Sequence, residues 1–355
     1  MSPPPTYIDL HPDSDFPFLV PPLRECLTTH APCNMGLGPK NTTNYWNEIS
    51  DYFCFLALPV IVTFAVLTEL MSIVVLARQV RQSLDTYLLG LSLATLLLLT
   101  CTTLLALQHY VGPHHLLVYS QPYSASCRDW FWYSAIWLLV MMSFERVLTV
   151  SASRANILCT SAQAAVVVVM VFAVGLVSSL PRFWEYQAME IMDHATNASF
   201  VIAQKTISTA TEEYNTMYFW YVKGVTLFVP YFMMIAMSVV MGCRTRRGVL
   251  TQRYMAIKHT SGLTLTRKIK EEVALTQLLI LLMVLYMICS APSAALDLVA
   301  HLAPSWMDPT SRTYASFYNL FTVMFFFQFD LHLIIYFCFN KQYRLTLLAL
   351  FCCCC

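Results

Sequence analysis

Four ionisable side chains lie within long apolar segments of this chain, where a charge requires either a partner or a function. They are Arg128, Asp129, Lys223 and Asp297, and each lies towards one end of its segment. An unpaired charge in an apolar surrounding is costly, so these positions are candidates for contact with a polar or charged ligand. The alternative for each is that it pairs with another of them or extends its end into water.

A second set of polar side chains, Glu69, Asp330 and His332, lies deeper within the apolar segments. Such residues could line an ion path, which makes a membrane transporter one hypothesis. Against a transporter stands the absence of paired interrupted helices or an internal repeat in the sequence. A membrane enzyme would need convergent His, Asp or Cys residues, and Asp330 and His332 point in different directions on a helix. We therefore expect no enzyme.

The segment from Cys127 to Val150 is the one around which the rest of the chain is organised. Its 24 residues, as a helix, span about 30 Å of hydrocarbon. Arg128 and Asp129 lie at its start, and the pair Glu145-Arg146 lies near its end. One helix therefore connects a candidate ligand site with a charged pair on the opposite side of a membrane. Three aromatic residues of this segment and one of the fifth span are interpreted as packing or interface residues. They are Trp130, Trp132, Tyr133 and Trp220.

The composition indicates a membrane protein. Hydrophobic residues form 57% of the 355 residues and charged residues 12%, and the mean hydropathy is +0.58. A soluble domain is about one-quarter charged. The net charge of +1 argues against a nucleic-acid partner. Most of the 13 cysteines lie in apolar segments or at the C-terminus, which is not typical of a disulfide framework. Pairing stays open for Cys26, Cys33, Cys54 and Cys127.

Seven apolar spans are each long enough to cross a membrane as a helix. The predicted fold class is therefore all-α, a seven-transmembrane helix bundle. The predicted domains are an extracellular tail (1–50), the transmembrane domain (51–338) and a Cys-rich C-terminal segment (339–355). Pro230 and Pro292 lie inside the fifth and sixth spans, where they favour kinks. The spans lie at about residues 53–77, 85–107, 126–150, 162–180, 216–242, 273–300 and 314–338.

The distribution of Lys and Arg predicts the orientation. Seven of the 21 lie on the side of the N-terminal tail and fourteen on the other side, including a basic loop between the fifth and sixth spans. By the positive-inside rule this loop is cytoplasmic and the N-terminus is extracellular. Two glycosylation sequons, at Asn41 and Asn197, lie on the predicted outer side, the second in a polar loop at residues 182–215.

The C-terminal residues predict a short amphipathic helix on the cytoplasmic membrane surface. Lys341 and Arg344 lie on one side of it and several apolar residues on the other. Four cysteines follow directly, which is a favourable setting for palmitoylation and makes membrane lipid a predicted partner. These are Cys352, Cys353, Cys354 and Cys355.

Short motifs in these segments are similar to those of a known receptor family. The first two spans contain LMSIVVLARQV and TYLLGLSLA, and the third ends with Ser143-Phe144-Glu145-Arg146-Val147. The fourth span ends with LPRFWE, and the stretches Tyr286–Pro292 and Tyr336–Arg344 complete the pattern. Together they resemble the rhodopsin-like (class A) G-protein-coupled receptors, nearest to the invertebrate FMRFamide-type neuropeptide receptors.

The resemblance implies a plasma-membrane receptor that binds an extracellular ligand and signals to heterotrimeric G proteins, with no cofactor or metal. A small amidated peptide is the implied ligand, and a chemosensory small molecule is the alternative. Arg146 and Glu272 stand where the family can form a bridge between the third and sixth spans. The residues implied in coupling and switching are Glu145, Arg146, Glu272, Pro292 and Tyr336.

The chain also departs from the family pattern. Glu69, Thr95 and His332 replace three polar residues that bind sodium and water in the family, so the sodium motif is missing. If the resemblance fixes the register, these three side chains form a buried polar cluster. A hydrogen bond between Glu69 and His332 is then the least costly way to bury both groups. Gln121 replaces the third-span Cys, and the loop after Arg182 lacks Cys, so the usual disulfide cannot form.

Overall fold

The structure is a computed structural model that describes nine stretches of the chain. They are residues 42–79, 83–111, 115–151, 160–193, 198–206, 209, 211–258, 263–307 and 311–352. Asn41, Asn197 and Cys353–Cys355 lie outside these stretches, as do the side chains of Glu272 and Cys352. Cys26 and Cys33 also lie outside them.

Nine α-helices and one β-hairpin account for most of the described residues. The helices are α1 (Thr42–Ala77), α2 (Ser83–Val111), α3 (His115–Ser151), α4 (Ser161–Phe183), α5 (Glu212–Lys223), α6 (Val229–Lys258), α7 (Leu263–Leu302), α8 (Arg312–Phe339) and α9 (Lys341–Cys352). The strands of the hairpin are β1 (Tyr186–Asp193) and β2 (Ala198–Lys205).

The predicted helical fold class is confirmed. Seven helical segments within the described residues are long and apolar enough to cross a membrane, which makes the chain a multi-pass membrane protein. Many of their large apolar side chains are exposed, including Val169 at 67% and Phe232 at 74%. Exposed apolar surface of this extent suits contact with lipid. The seven segments are 56–77, 83–107, 119–149, 161–183, 213–246, 273–302 and 313–339.

The chain divides into two compact units, whose boundaries fall inside α1, α7 and α8. The smaller unit contains residues up to Pro59 and Ser290–Met324, and within it Tyr314 Oη donates a hydrogen bond to Asp297 Oδ1 at 2.9 Å. The larger unit contains Val60–Cys289 and Phe325–Cys355. In the larger unit α3 is central, because it packs against α2, α4, α6 and both strands of the hairpin.

Helices α3 and α4 approach closely because Gly175 has no side chain. A Cβ atom at Gly175 would lie 2.8 Å from both Ser134 Oγ and Tyr133 Cδ1. Beside this contact, Trp130 Nε1 donates a hydrogen bond to the Phe172 carbonyl at 2.8 Å. The indole thus gains both apolar burial and a polar partner, which fixes the register of the two helices.

Local sequence signals explain how α4 begins and how the fifth span bends. Thr160 and Gln163 form a reciprocal capping box that satisfies the first backbone donors of α4. In the fifth span, residues Gly224–Phe228 form a π-helical turn that ends two residues before Pro230. A proline ring clashes with the carbonyl four residues earlier, and a π-helical turn relieves this clash by rerouting the backbone hydrogen bonds.

The loop at residues 182–215 contains an antiparallel hairpin that the sequence analysis did not predict. Its strands pair from Tyr186 with Lys205 to Asp193 with Ala198. The alternation of apolar and polar residues in each strand is short and lies between polar residues, so its strand signal is weak. The helical fold class stands, with this hairpin added to it.

The predicted C-terminal helix is present as α9. Asn340 caps it, because its Oδ1 accepts a hydrogen bond from the Tyr343 backbone N–H at 3.0 Å. Tyr343 is fully buried and shares a hydrogen bond with Ser72 of α1 at 3.0 Å. Gln79 Nε2 donates to the Gln342 carbonyl at 2.6 Å. These contacts hold α9 against the C-terminal end of α1 and the turn that follows it.

Candidate functional site

Two arginines and two carboxylates form a compact ionic group where α3, α4 and the hairpin meet. This Arg182 cluster consists of Arg128, Asp129, Arg182 and Glu185. Arg128 Nη2 donates to Asp129 Oδ1 at 2.9 Å, and Arg182 Nε donates to Asp129 Oδ2 at 3.1 Å. Arg182 Nη1 also donates to the Glu185 carboxylate. The side chains of Arg182 and Glu185 are only 12% and 4% exposed, so this part of the cluster is shielded from water.

The base of the hairpin is attached to the Arg182 cluster through backbone and hydroxyl groups. The Glu185 carbonyl accepts hydrogen bonds from the Thr206 N–H at 2.9 Å and from Thr209 Oγ1 at 3.1 Å. Burial, together with the nearby Glu185 carboxylate, raises the pKa of Tyr186 to about 12. The Arg182 guanidinium lies over the ring of Tyr218, 5.8 Å from its centroid. The hairpin is therefore connected to α3, α4 and α5 without a cysteine.

The four predicted ligand residues occupy different environments. Arg128 and Asp129 pair with each other, which is the alternative that the sequence left open. The ammonium of Lys223 lies 5.6 Å from the centroid of the Phe219 ring. Asp297 belongs to the smaller unit and accepts the hydrogen bond from Tyr314. Neither Lys223 nor Asp297 is deeply buried.

The predicted hydrogen bond between Glu69 and His332 is present in the structure. His332 Nδ1 lies 2.9 Å from Glu69 Oε1. Glu69 is fully buried and His332 is 7% exposed. Thr95 is also buried, but its hydroxyl donates to carbonyls of its own helix, at Leu91 and Ser92. The three residues thus share a region, while the direct contact joins only Glu69 and His332.

A small cavity lies beside this pair. It measures about 10 Å³, which is the space for about one water molecule. Thr95 and His332 contribute its polar lining, and the other lining residues are apolar or aromatic. Within the described residues, no group of three His, Cys, Asp or Glu side chains could hold a metal ion.

A chain of aromatic contacts runs from the cavity to α9. Trp132 stacks on Phe325 with ring centroids 4.5 Å apart. The contacts continue through Phe329, His332 and Tyr336, with centroid separations of 5.4 to 6.0 Å. Tyr336 then contacts Tyr343 of α9 at 5.5 Å. Trp132, predicted to be a packing residue, is therefore the first member of a continuous packed path through the larger unit.

Comparison with known proteins identifies the family. The family model described as "7 transmembrane receptor (rhodopsin family)" matches residues 68–336, which is well over half of the chain. The chain belongs to this family. It is also 22% identical to Opsin-VA from Rutilus rutilus over 321 residues, which cover 89% of this chain and 77% of the opsin. Proteins of this family are receptors.

In this rhodopsin-family receptor, two of the residues predicted for coupling, Glu145 and Arg146, lie near one end of α3. The Ser83 hydroxyl donates to the Glu145 carboxylate, which joins the start of α2 to α3. Arg146 is 7% exposed. The predicted bridge between Arg146 and Glu272 stays a prediction, because the Glu272 side chain lies outside the described residues. Pro292 lies within α7 as expected, and Tyr336 is fully buried in α8.

Arg182 and Glu185 complete the ionic cluster in the receptor but were not predicted to be site residues. Arg182 and Glu185 were noted only as part of a motif, although their spacing of three residues near a helix end is compatible with an ion pair. Asp330 and His332 were expected to point in different directions, which no contact among the described residues contradicts; Asp330 is 7% exposed and interacts electrostatically with both Glu69 and His332. A strongly apolar span carrying two ionisable residues so close together was the available signal.

Proposed function

We propose that this receptor binds a small amidated neuropeptide outside the cell and activates a heterotrimeric G protein inside it. The observation that supports signalling is the match to the rhodopsin-family receptors over residues 68–336. The pair Glu145-Arg146 at the end of α3 supports G-protein coupling. The peptide ligand rests on the motifs that resemble FMRFamide-type receptors. A small-molecule ligand is the alternative.

Arg128, Asp129, Lys223 and Asp297 each stay a proposed contact for the ligand. Arg128 and Asp129 already share a salt bridge at 2.9 Å, and Asp129 also accepts from Arg182, so a ligand would have to compete with these contacts. Asp297 presents a carboxylate, which suits a cationic ligand group such as an arginine side chain or a free amine. Amidation removes the negative charge of a peptide C-terminus, which favours approach to a carboxylate.

The proposed orientation places the N-terminal tail and the hairpin outside the cell and α9 in the cytoplasm. This orientation is supported by the distribution of Lys and Arg and by the sequons at Asn41 and Asn197. Digestion of the expressed receptor with a glycosidase should increase its electrophoretic mobility. Replacing either Asn41 or Asn197 with Gln should reduce this effect, and replacing both should remove it. An unchanged mobility in all cases would withdraw the support that the sequons give.

The ligand class can be tested by screening peptides against cells that express the receptor. We expect amidated peptides to stimulate nucleotide exchange on a G protein, and the same peptides with a free carboxylate to be less potent. Small apolar molecules screened in parallel represent the alternative. Two variants test the assigned residues. Arg146→Ala should bind ligand without activating the G protein, and Asp297→Asn should lower the potency of the peptide.

Three outcomes would contradict parts of the proposal. Activation by small apolar molecules and by no peptide would overturn the ligand class but not the receptor function. Activation that persists in Arg146→Ala would overturn the role of Arg146. Uptake of a labelled solute through the chain, with no nucleotide exchange under any ligand, would favour a transporter.

A further inference from the structure

An apolar groove lies between α1, α8 and α9 of the larger unit. It measures about 210 Å³, which is large enough for several methylene groups of a lipid chain. Thr68 contributes its methyl group, because its hydroxyl donates to the Ala65 carbonyl at 2.9 Å. Phe64 and Leu67 are more than half exposed, so the groove opens to the surroundings of the helices. The residues that line it are Phe64, Leu67, Thr68, Met71, Leu333 and Leu347.

The groove follows α1 for about the depth of one bilayer leaflet. Phe64 and Met71 lie fourteen and seven residues before Arg78, which directly follows the last residue of α1. At 1.5 Å per residue, these two positions lie about 21 Å and about 10 Å from Arg78 along the helix. Half of a bilayer with its headgroup region measures about 20–22 Å. A lipid with its headgroup at the level of Arg78 can therefore extend its chain through the groove to the bilayer centre.

Cationic residues lie where α9 contacts the end of α1. The first contact is the hydrogen bond at 2.6 Å from Gln79 to the Gln342 carbonyl. Arg78 and Lys341 are the chain neighbours of these two residues, and both are exposed. The contact therefore places a positive charge from each element at the end of the groove where α1 stops.

A third cation accompanies the second contact between the same helices. Tyr343 shares its hydrogen bond at 3.0 Å with Ser72, and its chain neighbour Arg344 is half-buried. The sequence contains no Asp or Glu at residues 70–84 and none after residue 330. The two stretches that meet here thus carry positive charge and no negative charge. This basic border consists of Arg78, Lys341 and Arg344.

We propose that the groove and its basic border form a binding site for an acidic phospholipid. One acyl chain lies in the groove, and the basic border binds the anionic headgroup. The border favours this occupant over an uncharged lipid, because each Lys or Arg near the membrane surface attracts anionic headgroups. Under the proposed orientation the border faces the cytoplasmic leaflet, in which acidic lipids are found. The leaflet follows from that orientation, whereas the chemistry of binding does not depend on it.

Photoreactive phosphatidylserine, with a diazirine in one acyl chain, tests the site in the full receptor. Nanodiscs that contain this lipid in both leaflets make the result independent of the orientation of the chain. We expect the label to attach to the residues of α1 and α8 that line the groove. A phosphatidylcholine probe with the same diazirine should label them more weakly. High salt should reduce the difference between the two lipids, because it screens the basic border.

Substitutions separate the headgroup contacts from the chain contacts. Arg344→Gln should lower labelling of the groove by phosphatidylserine by up to about fivefold and leave labelling by phosphatidylcholine unchanged. Leu67→Trp places a larger side chain in the groove and should lower labelling by both lipids. The matched controls are Arg246→Gln, at an exposed cation of α6, and Val169→Trp, on the exposed face of α4. Both controls should leave labelling of the groove unchanged.

Three results would overturn the site, and the first needs only the wild-type receptor. Equal labelling of the groove by the two lipids at low salt would show that the basic border does not select an acidic headgroup. Crosslinks between the α1 helices of two receptor copies, in place of lipid label, would assign the groove to a second copy. A rise in groove labelling after Cys352–Cys355 are changed to Ser would show that a lipid attached to the chain itself occupies the groove.

Discussion

The Arg182 cluster predicts a large cost for replacing its central residue with a neutral one. In Arg182→Gln, Glu185 keeps its 4% exposure and loses the arginine that neutralises it. An uncompensated buried charge costs about 3–5 kcal/mol. Asp129 is 30% exposed and keeps its salt bridge with Arg128 at 2.9 Å. The loss of its contact with Arg182 should therefore lower the free energy of unfolding by only about 0–1 kcal/mol. We therefore expect the free energy of unfolding to fall by about 3 kcal/mol.

A double-mutant cycle separates the ion pair from other effects of the substitution. The variant Arg182→Gln with Glu185→Gln removes both charges, so no buried carboxylate is left unpaired. It should recover most of the lost stability, with a coupling energy of about 2 kcal/mol. Arg182→Lys should recover only part of it, because a lysine ammonium cannot present two separate donors to Asp129 and Glu185 as a guanidinium does.

The measurement is unfolding of the purified receptor in mixed micelles with increasing sodium dodecyl sulfate, followed by tryptophan fluorescence. The chain contains seven Trp residues, which supply the signal. A loss below about 1 kcal/mol in Arg182→Gln would show that the pair behaves as an exposed one. Strict additivity in the double variant would show that Arg182 and Glu185 are not coupled, and either result would refute the reasoning.

Four further predictions concern other parts of the receptor. The pKa of Tyr186 is raised in the folded state, so stability should be complete below about pH 10 and decline as pH rises towards 12. Tyr186→Phe should reduce this decline in the same unfolding assay. Gly175→Ala should cost about 1–3 kcal/mol of stability through overpacking against α3, whereas Gly242→Ala, where nothing lies within 4 Å, should not. Glu272→Ala should raise basal nucleotide exchange modestly, because an ion pair near water is worth about 0–1 kcal/mol; unchanged basal exchange with a working agonist would exclude the bridge to Arg146. Hydroxylamine-sensitive lipid labelling should be lost when Cys352–Cys355 are all changed to Ser, and labelling that persists would place the lipid elsewhere.

The membrane-spanning helices could be predicted from the sequence because the signal is local and long. An apolar run of about 20 residues must form a helix in a bilayer, since no other partner for its backbone exists there. The fourth span illustrates this, with a predicted range of 162–180 and an observed segment of 161–183. The prediction was less accurate at the start of the third span. The predicted start was residue 126, and α3 extends back to His115 through Pro122. Proline is tolerated in such helices because neighbouring groups satisfy the freed backbone.

The candidate sites were only partly predictable, because side-chain pairing depends on how separate helices pack. The contact between Glu69 and His332 could be expected because a family resemblance supplied the register of two distant spans. The same register places Asp330 roughly 200° around the helix from His332, so it gave no reason to expect Asp330 near Glu69. Its proximity to both groups depends on the packing of α1 against α8, which the sequence pattern does not specify. The hairpin was missed for the same reason, since its base is held by α3 and α4.

Residues 182–215 contain no cysteine that could attach the hairpin covalently to a helix, which gives the Arg182 cluster its structural importance. A disulfide restrains a loop under all ionic conditions, because the covalent bond limits even the unfolded state. Ion pairs and hydrogen bonds restrain the hairpin only while they are formed, and the exposed part of the cluster at Asp129 is open to screening by salt. The attachment of the hairpin is therefore graded, strong at the buried Glu185 and weaker at Asp129. If the ligand competes for Asp129 as we propose, it would loosen one side of this attachment and leave the other intact, and ligand binding would then be linked to the hairpin through Arg182.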